Sequence, residues 1–317
     1  MEINKVQNIQ YCDVQLPLNS ADSVDVTIFD GKNNNASENN SSVQQDSEVI
    51  YYLVTGDDTL EIVANDYDLP VEDLIAYNKN LKDITADTVL SDTDIKTVKI
   101  ITTEKAIVEE LGFSPEFLED LISMEGKSKR LYKDAVGVTT IGVGHNVQIL
   151  NDKARYNNVK LNDKQIYSLL ARDLVNTQNV LRKVLVDDSG NDVFAALTKS
   201  QQEALCDLAF NLDIEKSPKL INALKNNDLL TAIKEMDQIY GNQKVLPGLV
   251  KRRFMDISYF IKDMNLENLP DNEKEDLKSF FQNIYDEGLK NSNIFHRIKY
   301  NMDTKKYLGD WINTRFW

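Results

Sequence analysis

The sequence predicts an α+β protein in which a small βααβ module precedes a mainly helical domain that carries a small β-hairpin. A strand, two short helices and a second strand fit within residues 50–102. From about residue 104 onward, apolar residues recur at helical spacing. The glycine-rich stretch "SMEGKSKRLYKDAVGVTTIGVGH", residues 123–145, predicts a hairpin that follows the end of a helix.

The composition excludes several classes of protein. The 317 residues, 42% of them apolar, are enough to build ordinary cores. No apolar run reaches eighteen residues, and the N-terminus has no cationic start followed by an apolar stretch, so we expect neither a membrane span nor a secretory signal. Cys12 and Cys206 lie far apart, and only two His residues are present. We therefore expect no disulfide framework, no metal site and no cofactor.

The net charge of −15 is concentrated in the first third of the chain. Residues 1–103 contain 6 Lys and no Arg against 19 Asp and Glu, whereas the remaining residues are close to neutral. Phosphates and anionic wall polymers repel an acidic segment of this kind. Nucleic acid is therefore not an expected partner.

The N-terminal residues divide into an arm and a linker. Residues 1–30 alternate apolar and polar side chains through Val24, Val26 and Ile28, which predicts a β arm with one or two short strands. Residues 31–49 are rich in Asn and Ser and predict a low-complexity linker. Because so short an arm is marginal alone, we expect it to pair with another protein or to pack on the rest of the chain.

Residues 50–102 predict a strand, two short helices and a second strand. The two helices are predicted from apolar residues at helical spacing, which are Leu60 and Val63 in the first helix and Leu74 and Ile75 in the second. This order of elements, together with Tyr52, Val54, Asp58, Thr59, Leu60, Tyr67, Leu74 and Asn78, resembles a LysM module.

The resemblance implies a glycan-binding role. LysM modules bind glycans that contain N-acetylglucosamine through two loops, which here point to Asp58, Thr59 and Asn78 as binding residues. Both loops depart from the motif, because Asp57 replaces a Gly and the acidic residues 92–94 replace a Gly-Gln turn. Structural docking of the module is an alternative of equal weight.

Residues 104–264 predict a helical domain, and residues 265–317 predict a helical C-terminal extension. One long amphipathic helix is predicted by Ile166, Leu169, Leu170, Leu174, Leu181, Val184 and Leu185. Thr198 and Gln201 form a capping box ahead of another helix, and Pro218 is typical of a first helical position. The extension ends in aromatic residues, which indicate that this end packs against another protein surface, whether of the same chain or of a partner.

Glu125 is predicted to end a helix. Ser114 is a typical N-cap and Pro115 a typical first residue, so a helix is expected from residue 115 to about residue 125. Gly126 is then expected to form a left-handed cap. The negative end of the helix dipole disfavours ionisation of a carboxylate at this position. A carboxylic acid that keeps its proton near neutral pH suits a general acid.

The hairpin that follows can fold Asp134 and Thr140 over this helix end. In glycosidases, two carboxyls about 6.5–9.5 Å apart hold a water for inversion, whereas about 5–5.5 Å predicts a covalent intermediate and retention. A Thr hydroxyl gives that water a second anchor, which favours inversion. Taken singly, the three residues also fit a solvated Glu, a turn Asp and a strand Thr. Their conjunction indicates a catalytic site.

The stretch resembles the signature of the phage-type lysozymes, glycoside hydrolases of family 24. The matching residues are Glu125, Gly126, Leu131, Tyr132, Asp134, Gly137, Thr140, Ile141, Gly142, Gly144 and His145. The resemblance continues through "LTKSQQEALCDLAFNL" and "PGLVKRRFMD" and covers residues 114 to about 262, with Leu208 and Leu212 as departures from the family pattern.

This resemblance implies a lysozyme-like fold and a reaction. Glu125 is the implied general acid, and Asp134 and Thr140 are the implied holders of the attacking water. The implied substrate is the β-1,4 bond between N-acetylmuramic acid and N-acetylglucosamine in peptidoglycan. His145 has no partner visible in the sequence and is assigned to a structural brace.

The flanking segments favour a lysozyme of a phage tail or baseplate, located in the virion and bound to tail proteins through the arm and the extension. Three alternatives stay open. The first is an endolysin released from the host cytoplasm to the periplasm and cell wall. The second is a structural tail subunit with a lysozyme fold. The third is a lytic transglycosylase, which needs only the acid.

Overall fold

The computed structural model describes residues 28–29, 49–134, 137–148, 153–241, 244–294 and 296–313. Most of the predicted arm, nearly all of the predicted linker and the aromatic residues at the very end lie outside this range. Among the described helices, none is long and apolar enough to cross a membrane.

The architecture is α+β, as predicted. The helices are α1 Leu60–Asp66, α2 Val71–Tyr77, α3 Glu104–Leu111, α4 Pro115–Glu125, α5 Lys153–Tyr156, α6 Asp163–Val184, α7 Val193–Ala196, α8 Lys199–Asn211, α9 Pro218–Lys225, α10 Leu229–Glu235, α11 Pro247–Ile261, α12 Asp271–Asn291 and α13 Arg297–Leu308. The strands are β1 Ile28–Phe29, β2 Ile50–Leu53, β3 Thr97–Ile100, β4 Ser128–Lys133, β5 Thr139–Gly142, β6 His145–Asn146, β7 Tyr240–Gly241 and β8 Lys244–Val245.

The small module has the predicted order of strand, helix, helix and strand. Its strands β2 and β3 pair antiparallel, and α1 and α2 lie between them in the chain. The part of the arm that is described, β1, adds to the other edge of β2 in parallel. Leu60, Val63 and Leu74 are fully buried, which accounts for the helical spacing of these apolar residues.

In the helical domain, α11 packs on α8, and α8 packs on α6. Phe117, Phe194, Phe254 and Phe260 are fully buried in the core. The predicted capping box of α8 is present, with both the side-chain and the backbone bond formed between Thr198 and Gln201. These bonds satisfy N–H groups that the first turn of a helix leaves without a partner.

The glycine-rich stretch forms a three-stranded antiparallel sheet in the order β4-β5-β6. Its first two strands are the predicted hairpin. The third strand was not predicted, because two residues are too few to show a period. Tyr132 pairs with Thr140 across β4 and β5, and Ile141 pairs with His145 across β5 and β6. Register therefore fixes which side chains of the hairpin share a face.

The C-terminal extension packs on the helical domain through α12 and α13, which both contact α11. Within it, the rings of Tyr285 and Tyr300 stack with centroids 5.5 Å apart. Trp311 packs edge-on against Phe281 at 5.6 Å, so this C-terminal aromatic packs on its own chain. The extension also reaches α4, where Lys306 Nζ donates to Asp120 at 2.6 Å.

The βααβ module docks on the helical domain through α2, which packs on α6. Asp73 Oδ1 lies 3.0 Å from Arg172 Nη1, and both side chains are buried. Burial raises the pKa of Asp73 to about 6, although the charge of Arg172 opposes that shift. The hydroxyls of Tyr77 and Ser168 meet at 3.1 Å in the same interface. The contact is therefore a buried polar interface.

Candidate active site

Glu125 is the last residue of α4, as predicted. The Ser114 hydroxyl accepts from the Phe117 N–H at 3.3 Å at the start of the helix, and Pro115 is its first residue. The predicted left-handed cap is wrong in one respect. Gly126 has a positive φ of 75° but an extended ψ of 167°, a region that only Gly adopts readily. This geometry leads the chain from α4 directly into β4.

Arg252 on α11 binds Glu125, with Nη1 2.5 Å from Oε1. The same guanidinium binds the fully buried Asp207 on α8 through Nε at 2.7 Å and Nη2 at 3.0 Å. Burial acts to raise the pKa of Asp207, but the charge of Arg252 and the hydrogen bonds from Asp256 and Arg252 outweigh it and lower that pKa. Asp207 balances the positive charge of Arg252. The same guanidinium also holds the carboxyl of Glu125 in one direction.

A second buried pair lies behind this network. Arg253 Nε is 3.1 Å from Asp256 Oδ2, and Arg253 Nη2 donates to Asn211 at 3.1 Å. Burial raises the pKa of Asp256 well above its ordinary value, although Arg253 opposes the shift. Arg253 and Asp256 are a local pair on α11. The bonds of Arg252 to Asp207 and of Arg253 to Asn211 join α11 to α8, which the sequence alone does not bring together. In the sequence, the adjacent Arg252 and Arg253 were the only indication of this network, and their presence alone did not predict which residues they bind.

Tyr132 lies on β4, between the end of α4 and Asp134. Burial raises the pKa of its phenol, and the charges of Glu125 and then of Asp134 raise that pKa further. Tyr132 pairs with Thr140 in the β4–β5 register. Asp134 directly follows β4 and Thr140 lies on β5, and the turn after β5 places Gly144 against the Glu125 carboxyl, so one hairpin connects the three predicted residues. The motif match included Tyr132 but gave it no function.

The hairpin turn fixes Asp134 and Thr140. The Asp134 Oδ1 accepts from the Val138 N–H at 2.8 Å, and the Asp134 N–H donates to the Val138 carbonyl at 3.0 Å. The buried Thr140 hydroxyl donates to the same carbonyl at 3.2 Å. Asp134 thus has the turn-forming bond expected of a structural Asp, and that bond also fixes the direction of its carboxyl.

Gly144 lies directly against the carboxyl of Glu125. Its φ is +68°, and a Cβ at this position would lie 2.6 Å from Glu125 Oε2 and 2.8 Å from Glu125 Cδ. No side chain fits in that gap. The backbone of the β5–β6 turn is therefore one wall of the space around Glu125.

His145 is buried behind the hairpin. Its Nδ1 lies 2.8 Å from Asp173 Oδ2, and the ring of Tyr156 packs edge-on at 5.8 Å. These contacts supply the partner that the sequence did not reveal, and they agree with a role as a brace. Among the described residues, no group of three or more His, Cys, Asp or Glu is arranged to hold a metal ion.

The predicted glycan-binding residues of the βααβ module all make bonds within the module. Asp58 Oδ2 accepts from the Thr55 N–H at 2.7 Å, and the Thr59 hydroxyl caps α1. Asn78 is buried; its amide donates to the carbonyls of Leu74 and Lys99, and its oxygen accepts from the Lys99 N–H at 2.9 Å. Asp58 and Thr59 lie together, whereas the amide of Asn78 joins α2 to β3.

Two family models match parts of this chain. Residues 122–256 match the phage lysozyme family, and residues 52–91 match the LysM domain. The chain contains a LysM domain and a phage lysozyme domain. The matched residues 122–256 are a glycoside hydrolase domain of the lysozyme type.

Solved structures similar to this chain include two phage lysozymes and a muramidase domain. The active form of P1 phage endolysin Lyz is 15% identical, with a TM-score of 0.43 over 53% of this chain and 99% of that chain. The muramidase domain of SpmX from Asticaccaulis excentricus is 24% identical, with a TM-score of 0.37 over 47% and 97%. A P22 lysozyme variant is 21% identical, with a TM-score of 0.37 over the same shares. No curated protein sequence matches the chain.

The contact between Gly144 and Glu125 predicts a loss of activity in Gly144→Ala. The methyl group overlaps the carboxyl, so we expect Glu125 to be displaced and turnover on purified peptidoglycan to fall roughly 100-fold. The positive φ adds about 1–2 kcal/mol of strain to the free energy of folding. Release of reducing ends and urea unfolding measure the two effects.

Gly190→Ala is the matched control, because Gly190 has a φ of +84° with open space around its Cβ position. We expect a similar loss of stability there with turnover retained. Equal turnover in the two variants would contradict the proposed wall of the site.

Proposed function

We propose that the lysozyme domain is a muramidase that hydrolyses the β-1,4 bond between N-acetylmuramic acid and N-acetylglucosamine in bacterial peptidoglycan, with inversion. The observation that carries this proposal is that the hairpin bearing Asp134 and Thr140 leads into the turn whose Gly144 lies directly against the carboxyl of Glu125. Two carboxyls and a hydroxyl around one space are the groups that general acid–base hydrolysis of a glycoside requires.

In the proposed mechanism, Glu125 protonates the leaving oxygen. Arg252 occupies Oε1, which leaves Oε2, beside Gly144, to carry the proton toward the substrate. The bidentate pair with Asp207 balances the charge of Arg252, so the guanidinium fixes the direction of the carboxyl. The proton moves from Oε2 to the glycosidic oxygen as the bond to the sugar carbon breaks.

Water completes the reaction from the other face of the sugar ring. Asp134 and Thr140 hold this water, and Asp134 accepts its proton as the oxygen attacks the anomeric carbon. The bonds of both residues to Val138 support a fixed position for them before substrate binds. A preorganised water is the reason for choosing hydrolysis over a transglycosylase reaction, which needs only the acid.

Glu125→Gln tests the role of the acid. An amide cannot donate this proton at neutral pH, so we expect turnover on purified peptidoglycan to fall by about 10²–10⁴-fold while the fold is kept. Glu119→Gln on the exposed side of the same helix is the matched control and should retain turnover. The proposal fails if both variants release reducing ends at the wild-type rate, or if the wild type releases none.

The products test the role of the water. Attack by water on the face opposite the leaving group gives the α-anomer at the new reducing end, which proton NMR detects before mutarotation. The β-anomer as first product would refute inversion. An anhydro-muramic product would identify a lytic transglycosylase.

We further propose that the enzyme belongs to a phage tail or baseplate and acts in cell-wall penetration, bound to other tail proteins through its arm and extension. Support comes from α13 and the residues before it, where Ile294, Ile298 and Met302 are 71%, 53% and 62% exposed. Ile298 and Met302 are four residues apart on α13 and therefore lie on one face of that helix, and the exposed Ile294 precedes it in the chain. An apolar stripe of this kind is typical of a surface that meets another protein.

Mass spectrometry of purified virions tests this location. We expect peptides of this chain at a constant ratio to the major structural proteins through successive gradients. A freely released endolysin, the alternative, would be lost during the same purification.

A further inference from the structure

The LysM domain places a fully buried carboxylate against the lysozyme domain. Asp73 on α2 is 0% exposed, and its Oδ1 lies 3.0 Å from Arg172 Nη1 on α6. A buried charge is costly unless an opposite charge and hydrogen bonds compensate it. The partner of Asp73, Arg172, belongs to the other domain. Asp73 is therefore compensated only while the two domains are docked, and it would lose this partner if they separated.

The charged contacts continue from Arg172 to His145. Arg172 Nη2 faces His145 Nε2 at 3.5 Å, and His145 Nδ1 lies 2.8 Å from Asp173 Oδ2. A guanidinium has donors only, so the ring nitrogen that faces it is the acceptor. The imidazole proton then lies on Nδ1 and is donated to Asp173. The carboxylate of Asp173, which only accepts, and the donors of Arg172 thus both favour the Nδ1–H tautomer.

His145 in turn holds the strand that carries Thr140. It pairs with Ile141 across β5 and β6, and the neighbouring pair in the register is Thr140 with Asn146. The imidazole is only 4% exposed, so it cannot turn away without disturbing the residues packed on it. A change in the His145–Asp173 bond is thus transmitted to β5.

We propose that Asp73 of the LysM domain is a positioning residue for hydrolysis by the lysozyme domain, acting through Arg172 and His145 on the strand of Thr140. The proposal rests on the proposed function for the role of Thr140. Without the charge of Asp73, Arg172 moves toward Asp173, whose Oδ1 is already 3.8 Å from Arg172 Nε. His145 then loses its acceptor, and β5 loses its brace.

Asp73→Asn tests the proposal at nearly constant side-chain volume. We expect the turnover number on purified peptidoglycan to fall at least about 10-fold, with KM little changed, at a temperature where the variant is folded. Tyr77→Phe is the matched control, because it removes the bond to Ser168 from the same helix and interface. We expect Tyr77→Phe to lower the unfolding temperature and keep turnover. An equal loss of turnover in both variants would overturn the proposal.

The double variant Asp73→Asn with Arg172→Met separates positioning from folding. It removes both buried charges, so it leaves no unpaired guanidinium to compete for Asp173. We expect the double variant to fold and to recover most of the turnover that Asp73→Asn loses. We expect the same folded, active double variant even if Asp73→Asn alone fails to fold. Turnover as low as in the single variant, or failure of the double variant to fold, would overturn the proposal.

Nitrogen-15 NMR of the imidazoles gives a readout that does not depend on activity. The chain has two His residues, and the exposed His296 serves as the reference for His145. We expect the Nδ1–H tautomer of His145 in the wild type and in Tyr77→Phe, and its loss in Asp73→Asn. An unchanged tautomer in Asp73→Asn would refute the proposal. A wild type that leaves peptidoglycan uncut would refute the proposed function instead, while this spectrum still decides the role of Asp73.

Discussion

The position of Glu125 depends on one guanidinium. Arg252 projects from α11, binds Asp207 on α8 with two nitrogens and reaches Glu125 at the end of α4 with a third. The rigid, planar fork of Arg makes three such bonds at fixed angles, which a Lys ammonium cannot do. Since Arg252 and Asp207 are buried, each is tolerable only with the other in place. The carboxyl of Glu125 is therefore tied to the packing of the helical core.

The hairpin is held from the other side by a different network. His145 bonds Asp173 and faces Arg172, so the strand that carries Thr140 is fixed by α6, whereas Glu125 is fixed by α8 and α11. Between the two networks lies Gly144, whose missing side chain lets the turn approach the acid. The proposed water site is thus bounded by elements that separate parts of the core hold rigid. Preorganisation of this kind is what electrostatic catalysis requires.

The LysM domain is a docked part of the enzyme and not a module on a free tether. Its helix α2 buries Asp73 against Arg172 and joins Tyr77 to Ser168 on α6. A glycan bound by such a domain would be held at a fixed distance and orientation from the lysozyme site. No conformational entropy of a flexible linker would be lost on binding to both. The C-terminal extension adds a comparable support, because Lys306 bonds Asp120 on the helix that carries Glu125.

The sequence by itself determined the elements and the local geometry around the acid. Capping residues set the start of α4, a Gly set its end, and strand alternation with glycines set the hairpin, because these signals act over a few residues. The motif then predicted Glu125, Asp134 and Thr140 as a group. Only tertiary structure decided which side chains support them. Asp207 is 45 residues from Arg252, and Asp73 lies in another domain from Arg172, so no local pattern links the partners. The ψ of Gly126 and the third strand of the sheet likewise depend on the direction that the chain takes when it packs on the core.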